Sequence, residues 1–239
     1  MTVKDDLQRL ANPKQAQLLQ GFFKTGKGQY GEGDIFLGIK VPEQRKVAKK
    51  YLDLSLKDLQ SLLSSKIHEY RLTALFILVD QYKKADPKKK KVIFDFYLKN
   101  TKNINNWDLV DLSAPNIVGE YLLENDRKIL YKLAKSDLLW ERRIAVLATF
   151  YFIKNNQFED SLKIAEILLQ DKHDLIHKAV GWMLREIGKR NQAVEERFLK
   201  KYYHLMPRTM LRYAIERFEE KKRKAYLNKS TRTPKSQTL

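Results

Sequence analysis

Three residues of this chain have the types and spacing to act on a cation: Trp107, Asp111 and Trp182. Trp107 and Asp111 lie in the stretch INNWDLVDLS, residues 104–113, whose apolar residues Ile104, Trp107, Leu109, Val110 and Leu112 recur at helical spacing. Four residues make about one helical turn, so Trp107 and Asp111 share a face. A carboxylate beside a packed stripe costs several kcal/mol unless something offsets its desolvation. One offset is functional. A negative charge between aromatic walls stabilises positive charge developing on a ligand. The other is structural: Asp111 pairs with a neighbouring arginine and locks two helices. A lone tryptophan in a helix is more often core than site.

The elements that must position these residues are helices. Nine glycines and six prolines punctuate 239 residues, and RLTALFILVDQY, IAVLATFYFI and AVGWMLREIG carry helical periodicity. No segment alternates with period two between turn signals. Five segments fall into register: YRLTAL from Tyr70, WDLVDL from Trp107, RRIAVL from Arg142, HKAVGW from His177 and LRYAIE from Leu211. Their second positions, Arg71, Asp108, Arg143, Lys178 and Arg212, are 37, 35, 35 and 34 residues apart. A period of about 35–45 residues carrying two helices is the pattern of HEAT-like and armadillo-like solenoids. The fifth positions are Ala74, Asp111, Val146, Gly181 and Ile215, so Asp111 is the acid in a column of small and apolar residues. Trp182 stands in a sixth column otherwise occupied by Leu75, Leu112, Leu147 and Glu216. The second column is basic except at Asp108. The segment carrying Asp111 therefore departs from its siblings twice, and such departures gather at functional sites.

Equivalent positions of a solenoid line one face, so Arg71, Arg143, Lys178 and Arg212 suit a phosphate track. Inter-repeat ion pairs would explain the same residues. The net charge of +18 and pI near 9.8 point to nucleic acid, because lysine and arginine release counterions condensed on phosphate. With no cysteine, disulfides, thiolate metal sites and a cysteine nucleophile are excluded. The four histidines, His68, His173, His177 and His204, have no metal-ligand spacing. We expect no metal and no cofactor. The first residues lack the apolar core of a signal peptide, and no stretch approaches 18 uninterrupted apolar residues. The expectation is a cytoplasmic, nucleoid-associated protein without membrane contact. Residues 1–219 read as one repeat domain and residues 220–239 as a basic, disordered tail.

Four blocks, GEGDIFLGIKVPEQRKVAK (31–49), NNWDLVD (105–111), WERRIAVL (140–147) and AVGWMLREIGK (179–189), together resemble the AlkD-like DNA alkylation repair glycosylases. The resemblance runs from about Asn12 to Phe218. It implies an all-α curved solenoid of HEAT-like repeats that grips duplex DNA in a concave basic cleft. It also implies release of cationic N3- and N7-alkylated purines. By resemblance Trp107, Asp111 and Trp182 are the catalytic set, and Arg143 holds the DNA backbone near the lesion. Where members carry a second tryptophan just before the first, this chain has Asn106. Paralogues lacking the aspartate do not excise bases, and this chain keeps it.

The implied chemistry needs little acid catalysis, since a cationic purine departs neutral. The sugar, becoming oxocarbenium-like, is what needs Asp111, which also orients water for attack at C1′. The tryptophan faces attract its cationic character. One carboxylate then suffices where other glycoside-cleaving enzymes use two. Many glycosylases extrude the base; the resemblance implies that this family reads the sugar–phosphate backbone and leaves the base largely stacked. The expectation is a monomeric, monofunctional DNA glycosylase whose partner is double-stranded DNA containing alkylated bases, with no obligate protein partner. The register places no lysine as a Schiff-base nucleophile. The rivals are a non-catalytic DNA-structure-binding paralogue and a protein-binding HEAT adaptor.

Overall fold

Short polar side chains and prolines set many of the helix starts. Thr2 and Ser55 close capping boxes with Asp5 and Asp58. Asn12 and Asp86 cap helices that begin with Pro13 and Pro87, and Asn106 and Asn191 cap two others. Each cap gives an oxygen to a backbone N–H that has no partner inside its helix, where a proline loses nothing. The computed structural model describes residues 2–229. In order these form α1 (Val3–Gln8), α2 (Pro13–Phe22), α3 (Val41–Ala48), α4 (Leu56–Leu63), α5 (His68–Lys84), α6 (Pro87–Lys99), α7 (Trp107–Ala114), α8 (Glu120–Leu123), α9 (Lys128–Ala134), α10 (Leu139–Lys154), α11 (Glu159–Ile167), α12 (Asp174–Gly188), α13 (Gln192–Tyr202), α14 (Arg208–Ala214) and α15 (Glu220–Lys229). The class is all-α, as the periodicity predicts. Among the described residues the one isolated extended pairing is a parallel bridge between Ile35 and Ile67. No helix among them is long and apolar enough to cross a membrane.

Within the span expected as one repeat domain, two compact units are distinguishable, Met1–Tyr121 and Leu122–Leu239. In the first, α3, α4 and α7 pack on α5, and α1 packs on α3 and α5. Thirteen of the seventeen residues of α5 are buried, so this helix is enclosed on all sides and its sequence lacks a polar face. In the second, α10, α12 and α14 pack in succession, α9 and α11 lie against α10, and α13 lies against α12. Packing of this nearest-neighbour kind is what stacked helix pairs produce. The five register segments fall in α5, α7, α10, α12 and α14, the last running on through Ile215 and Glu216 into a 3-10 turn.

At the fifth register position Gly181 lets α12 and α14 touch. A β-carbon there would lie 2.5 Å from the Met210 carbonyl oxygen and 2.5 Å from the β-carbon of Tyr213. At the chain end, the expected disordered tail is corrected over residues 220–229, which are helical. The sequence shows no apolar stripe there because α15 is held from outside. Lys222 pairs with Glu196 of α13, Arg208 donates to the Leu227 carbonyl at 2.6 Å, and the Tyr226 ring meets Tyr203 and Phe218. Residues 230–239 of the expected tail lie outside the described residues.

Candidate active site

α7 begins at Trp107, whose backbone N–H is accepted by the Asn106 side chain at 2.8 Å. Asp111 lies one turn on and is half-buried, whereas the equivalent Ala74, Val146, Gly181 and Ile215 are buried. Pro115 follows four residues later. It has no N–H for the α-helical bond to the Asp111 carbonyl, and residues Pro115–Gly119 widen into a π turn. Turns of this kind recur at functional sites because they re-aim neighbouring side chains. Asp111 also reaches Tyr97 of α6 electrostatically. Burial pushes the Tyr97 phenol up, and the Asp111 charge adds to this against the lowering effect of the Ser113 hydrogen bond.

The deeply buried acid of this stretch is Asp108 rather than Asp111. Its Oδ2 lies 2.8 Å from Nε2 of His68, whose Nδ1 lies 3.2 Å from Asp34 Oδ2. The same Asp34 oxygen accepts from Arg71 Nη2 at 2.6 Å and from Asn106 Nδ2 at 3.4 Å. The bridge between Ile35 and Ile67 presents Asp34 to this cluster, with Ile35 N donating to the Lys66 carbonyl and His68 N to that of Ile35. Burial opposes charging Asp34, but the His68 hydrogen bond and the Arg71 charge outweigh it and hold the carboxyl below its usual range. Burial likewise opposes charging His68. The Asp108 charge and the bonds to Asp108 and Asp34 overcome it and raise the imidazole above its ordinary value.

Two rings, Phe36 and Phe23, connect this cluster to Trp107. His68 stacks on Phe36 at 4.5 Å and 20°. Phe36 stacks on Phe23 at 4.9 Å and 24°, and Phe23 on Trp107 at 5.2 Å and 11°. Phe22, largely exposed, meets the indole edge-on at 6.0 Å. Beside the column, Phe22, Phe23, Phe36, His68 and Asp108 contribute to the lining of a cavity of about 200 Å³.

The first unit thus holds Trp107 and Asp111 on one helix, and the second holds Trp182, Arg143, Lys178 and Arg212. Trp182 on α12 is half-buried. Its Nε1–H donates to Glu186 at 3.1 Å, and its ring is 5.8 Å from Phe150 of α10. Arg143 on α10 is buried, with Nη1 donating to the Leu175 carbonyl at the start of α12 at 2.6 Å. Lys178 pairs with Asp174 at 2.6 Å and keeps about 40% of its side-chain surface exposed. Arg212 on α14 is exposed.

Arg71 is corrected as a phosphate contact. It is 3% exposed, and its guanidinium is spent on Asp34 and on the Ser65 carbonyl at 2.7 Å. A charge so enclosed acts within the fold. In the second register column Arg71, Asp108 and Arg143 are all buried, so its exposed cations are Lys178 and Arg212. His68, Asp34, Phe23 and Phe36 belong to the site environment, and the register does not mark them. The available signals were Asp108, the acidic exception of its column, and Pro115, one turn after Asp111. Among the described residues no group of three or more His, Asp or Glu side chains is arranged to hold a metal.

No curated protein matches the chain. Among solved structures, a protein of Enterococcus faecalis described as a predicted DNA alkylation repair enzyme superposes with a TM-score of 0.67 at 17% identity, covering 88% of this chain and 97% of its own. AlkD2 from Streptococcus mutans superposes at 0.57 with 18% identity, covering 92% and 100%. At such identities the likeness is one of fold. The sequence carries the kinship: the model of the DNA alkylation repair enzyme family matches residues 3–218, from the first helix through the end of the last register segment. With that match spanning both units and the helices that carry Trp107, Asp111 and Trp182, the chain belongs to the DNA alkylation repair enzyme family.

Proposed function

We propose that the protein is a monofunctional DNA glycosylase that hydrolyses the N-glycosidic bond of cationic N3- and N7-alkylated purines in duplex DNA. The observation that carries the reading is Asp111: a half-buried carboxylate one turn from a tryptophan, just before a π turn, at a register position that is buried elsewhere. Family membership supplies the substrate class, DNA alkylation damage.

In this reading the C1′–N bond breaks with its electron pair leaving on the base, which departs neutral. The sugar gains oxocarbenium character, and Asp111 stabilises it in place of bulk water. Water adds at C1′ and its proton is lost, leaving an abasic site. The indole face of Trp107, one turn from Asp111, contacts the deoxyribose and favours its positive charge. Lys178 and Arg212, the exposed cations of the register column, hold phosphate, which positions the duplex without reading its sequence, whereas Arg143 is buried and its guanidinium serves the Leu175 carbonyl. The protein works as a monomer in the cytoplasm, on the nucleoid, without cofactor.

The test is incubation of the protein with duplex DNA carrying N7-methylguanine, scoring free base. Release of base with an intact strand is the expected result. Tight duplex binding without release would make the protein a non-catalytic DNA binder instead.

A further inference from the structure

His68 reaches Trp107 by two routes. Its Nε2 meets Asp108 at 2.8 Å, and Asp108 is the residue after Trp107 in the first turn of α7. Its ring begins the stack that runs through Phe36 and Phe23 to the indole. The histidine is 1% exposed, so this arrangement lies inside the first unit. We propose that His68 is the positioning residue of Trp107, fixing the first turn of α7 through Asp108 and the set of the indole through Phe36 and Phe23. The proposal rests on the reading of Trp107 as part of the reacting site.

The charge state of His68 decides how firm this hold is. An imidazolium donates from both nitrogens, one to Asp34 and one to Asp108; a neutral imidazole has a single N–H and must leave one carboxylate facing a lone pair. Asp34 has other donors in Arg71 and Asn106. Asp108 Oδ1 accepts from the Leu109 N–H at 2.9 Å, and His68 serves its Oδ2. The other charged groups nearby are Glu69, which accepts from the N–H groups of Leu37, Gly38 and Ile39, and the exposed Lys40, which lines the adjoining cavity. Burial works against the imidazolium and Asp108 works for it, with a net upward shift. The stabilisation from a raised histidine is complete below its unfolded value of about 6.5 and is lost as pH rises through the folded value. Trp107 is therefore held most firmly below about pH 6.5 and loosened as pH rises through the raised folded value of His68.

The chain has three tryptophans, so Trp140→Phe with Trp182→Phe leaves Trp107 as the sole indole. Its emission and near-ultraviolet dichroism, followed between about pH 6 and 10, should show one transition with a midpoint above about 6.5. His68→Gln should abolish that transition, and His204→Gln, on an exposed position, should leave it in place. Should His68→Gln fail to fold, Phe36→Leu keeps both carboxylate bonds and cuts the ring route. It should shift the Trp107 spectrum at fixed pH with helix content intact. A pH-independent Trp107 spectrum, a transition that survives His68→Gln, or a Phe36→Leu spectrum identical to its parent would overturn the proposal. Single-turnover release of N7-methylguanine by the otherwise unaltered chain should decline with the same midpoint. Absence of base release at every pH would count against the glycosylase reading alone, because the Trp107 spectrum still decides the role of His68.

Discussion

The rings of Phe23 and Trp107 lie 5.2 Å apart and within 11° of parallel, so α2 sets one face of an indole that α7 carries. Phe23 is buried. Phe23→Ala should cost about 3–5 kcal/mol by urea denaturation, as aromatic truncations in cores do. Phe23→Leu fills more of the space but forfeits the ring contact, worth roughly 0.5–1.5 kcal/mol beyond burial. Both should alter Trp107 fluorescence. If Phe23→Leu left stability and emission as they are, the shelf under Trp107 would have no energetic weight.

Gly181→Ala sets helix propensity against space. Alanine is favoured over glycine within a helix by about 1 kcal/mol. At Gly181 the new methyl would meet backbone of α14 at 2.5 Å, and overpacking of this sort costs about 1–3 kcal/mol. The variant should be destabilised on balance. Gly21→Ala, on α2 with nothing within 4 Å of the added carbon, should gain up to about 1 kcal/mol. Thermal melts of the two variants should move in opposite directions.

What the sequence made legible follows from what is local. Helical periodicity and the 34–37-residue spacing placed all five register segments in helices, because both signals lie within single elements. Asp111 and Trp107 share a helix for the same reason. Arg71 departs from the expected phosphate track because register predicts a position and not a partner. Asp34 is 37 residues earlier in the chain and bonds to it at 2.6 Å. Nor could spacing reveal the stack from His68 to Trp107, whose four rings come from α5, α7, the end of α2 and the loop before α3. The α15 segment has no local signal, because tertiary anchors override a weak local pattern.

Glu195 gives a pH dependence of its own. It is 2% exposed, and its Oε1 has no hydrogen-bond partner among the described residues. Burial, with the Glu196 charge second, pushes its pKa up to about 8. From about pH 4.3, the usual value for an unfolded glutamate, up to about pH 8, the native state keeps a proton that the unfolded state has lost, so stability falls as pH rises. Glu195→Gln removes the penalty. Its advantage over wild type should grow across that interval and then level, reaching a few kcal/mol at about 1.4 kcal/mol per pKa unit. A gap that does not change with pH would show that Glu195 ionises normally.

Duplex affinity should fall with a log–log salt slope of about −0.9 per phosphate neutralised. Arg212→Ala, on an exposed arginine, should reduce the slope by about one contact and weaken all sequences alike. Arg71→Ala should leave the slope unchanged and lower the melting temperature, because its guanidinium serves Asp34 and Ser65. A slope near zero for wild type would end the nucleic-acid reading.

Asp108 and Asp111, three residues apart on α7, should answer the same change differently. Asp108 is buried against His68 at 2.8 Å, and Asp108→Asn removes one charge of an enclosed pair. Breaking such a pair costs about 3–5 kcal/mol, since the remaining charge is stranded. Asp111 is only half-buried, so Asp111→Asn should leave the melting temperature nearly unchanged. If Asp111 stabilises an oxocarbenium-like sugar, loss of its charge should slow base release by roughly 10²–10³. Duplex affinity should hold or rise slightly, because a negative charge facing phosphate has gone. Melting temperature, duplex affinity and single-turnover excision, measured on both variants, separate the two roles. A stable, DNA-binding and inactive Asp111→Asn protein supports catalysis by Asp111. An Asp111→Asn protein with undiminished excision, or one that loses activity only by unfolding, would move Asp111 from the chemistry to the scaffold.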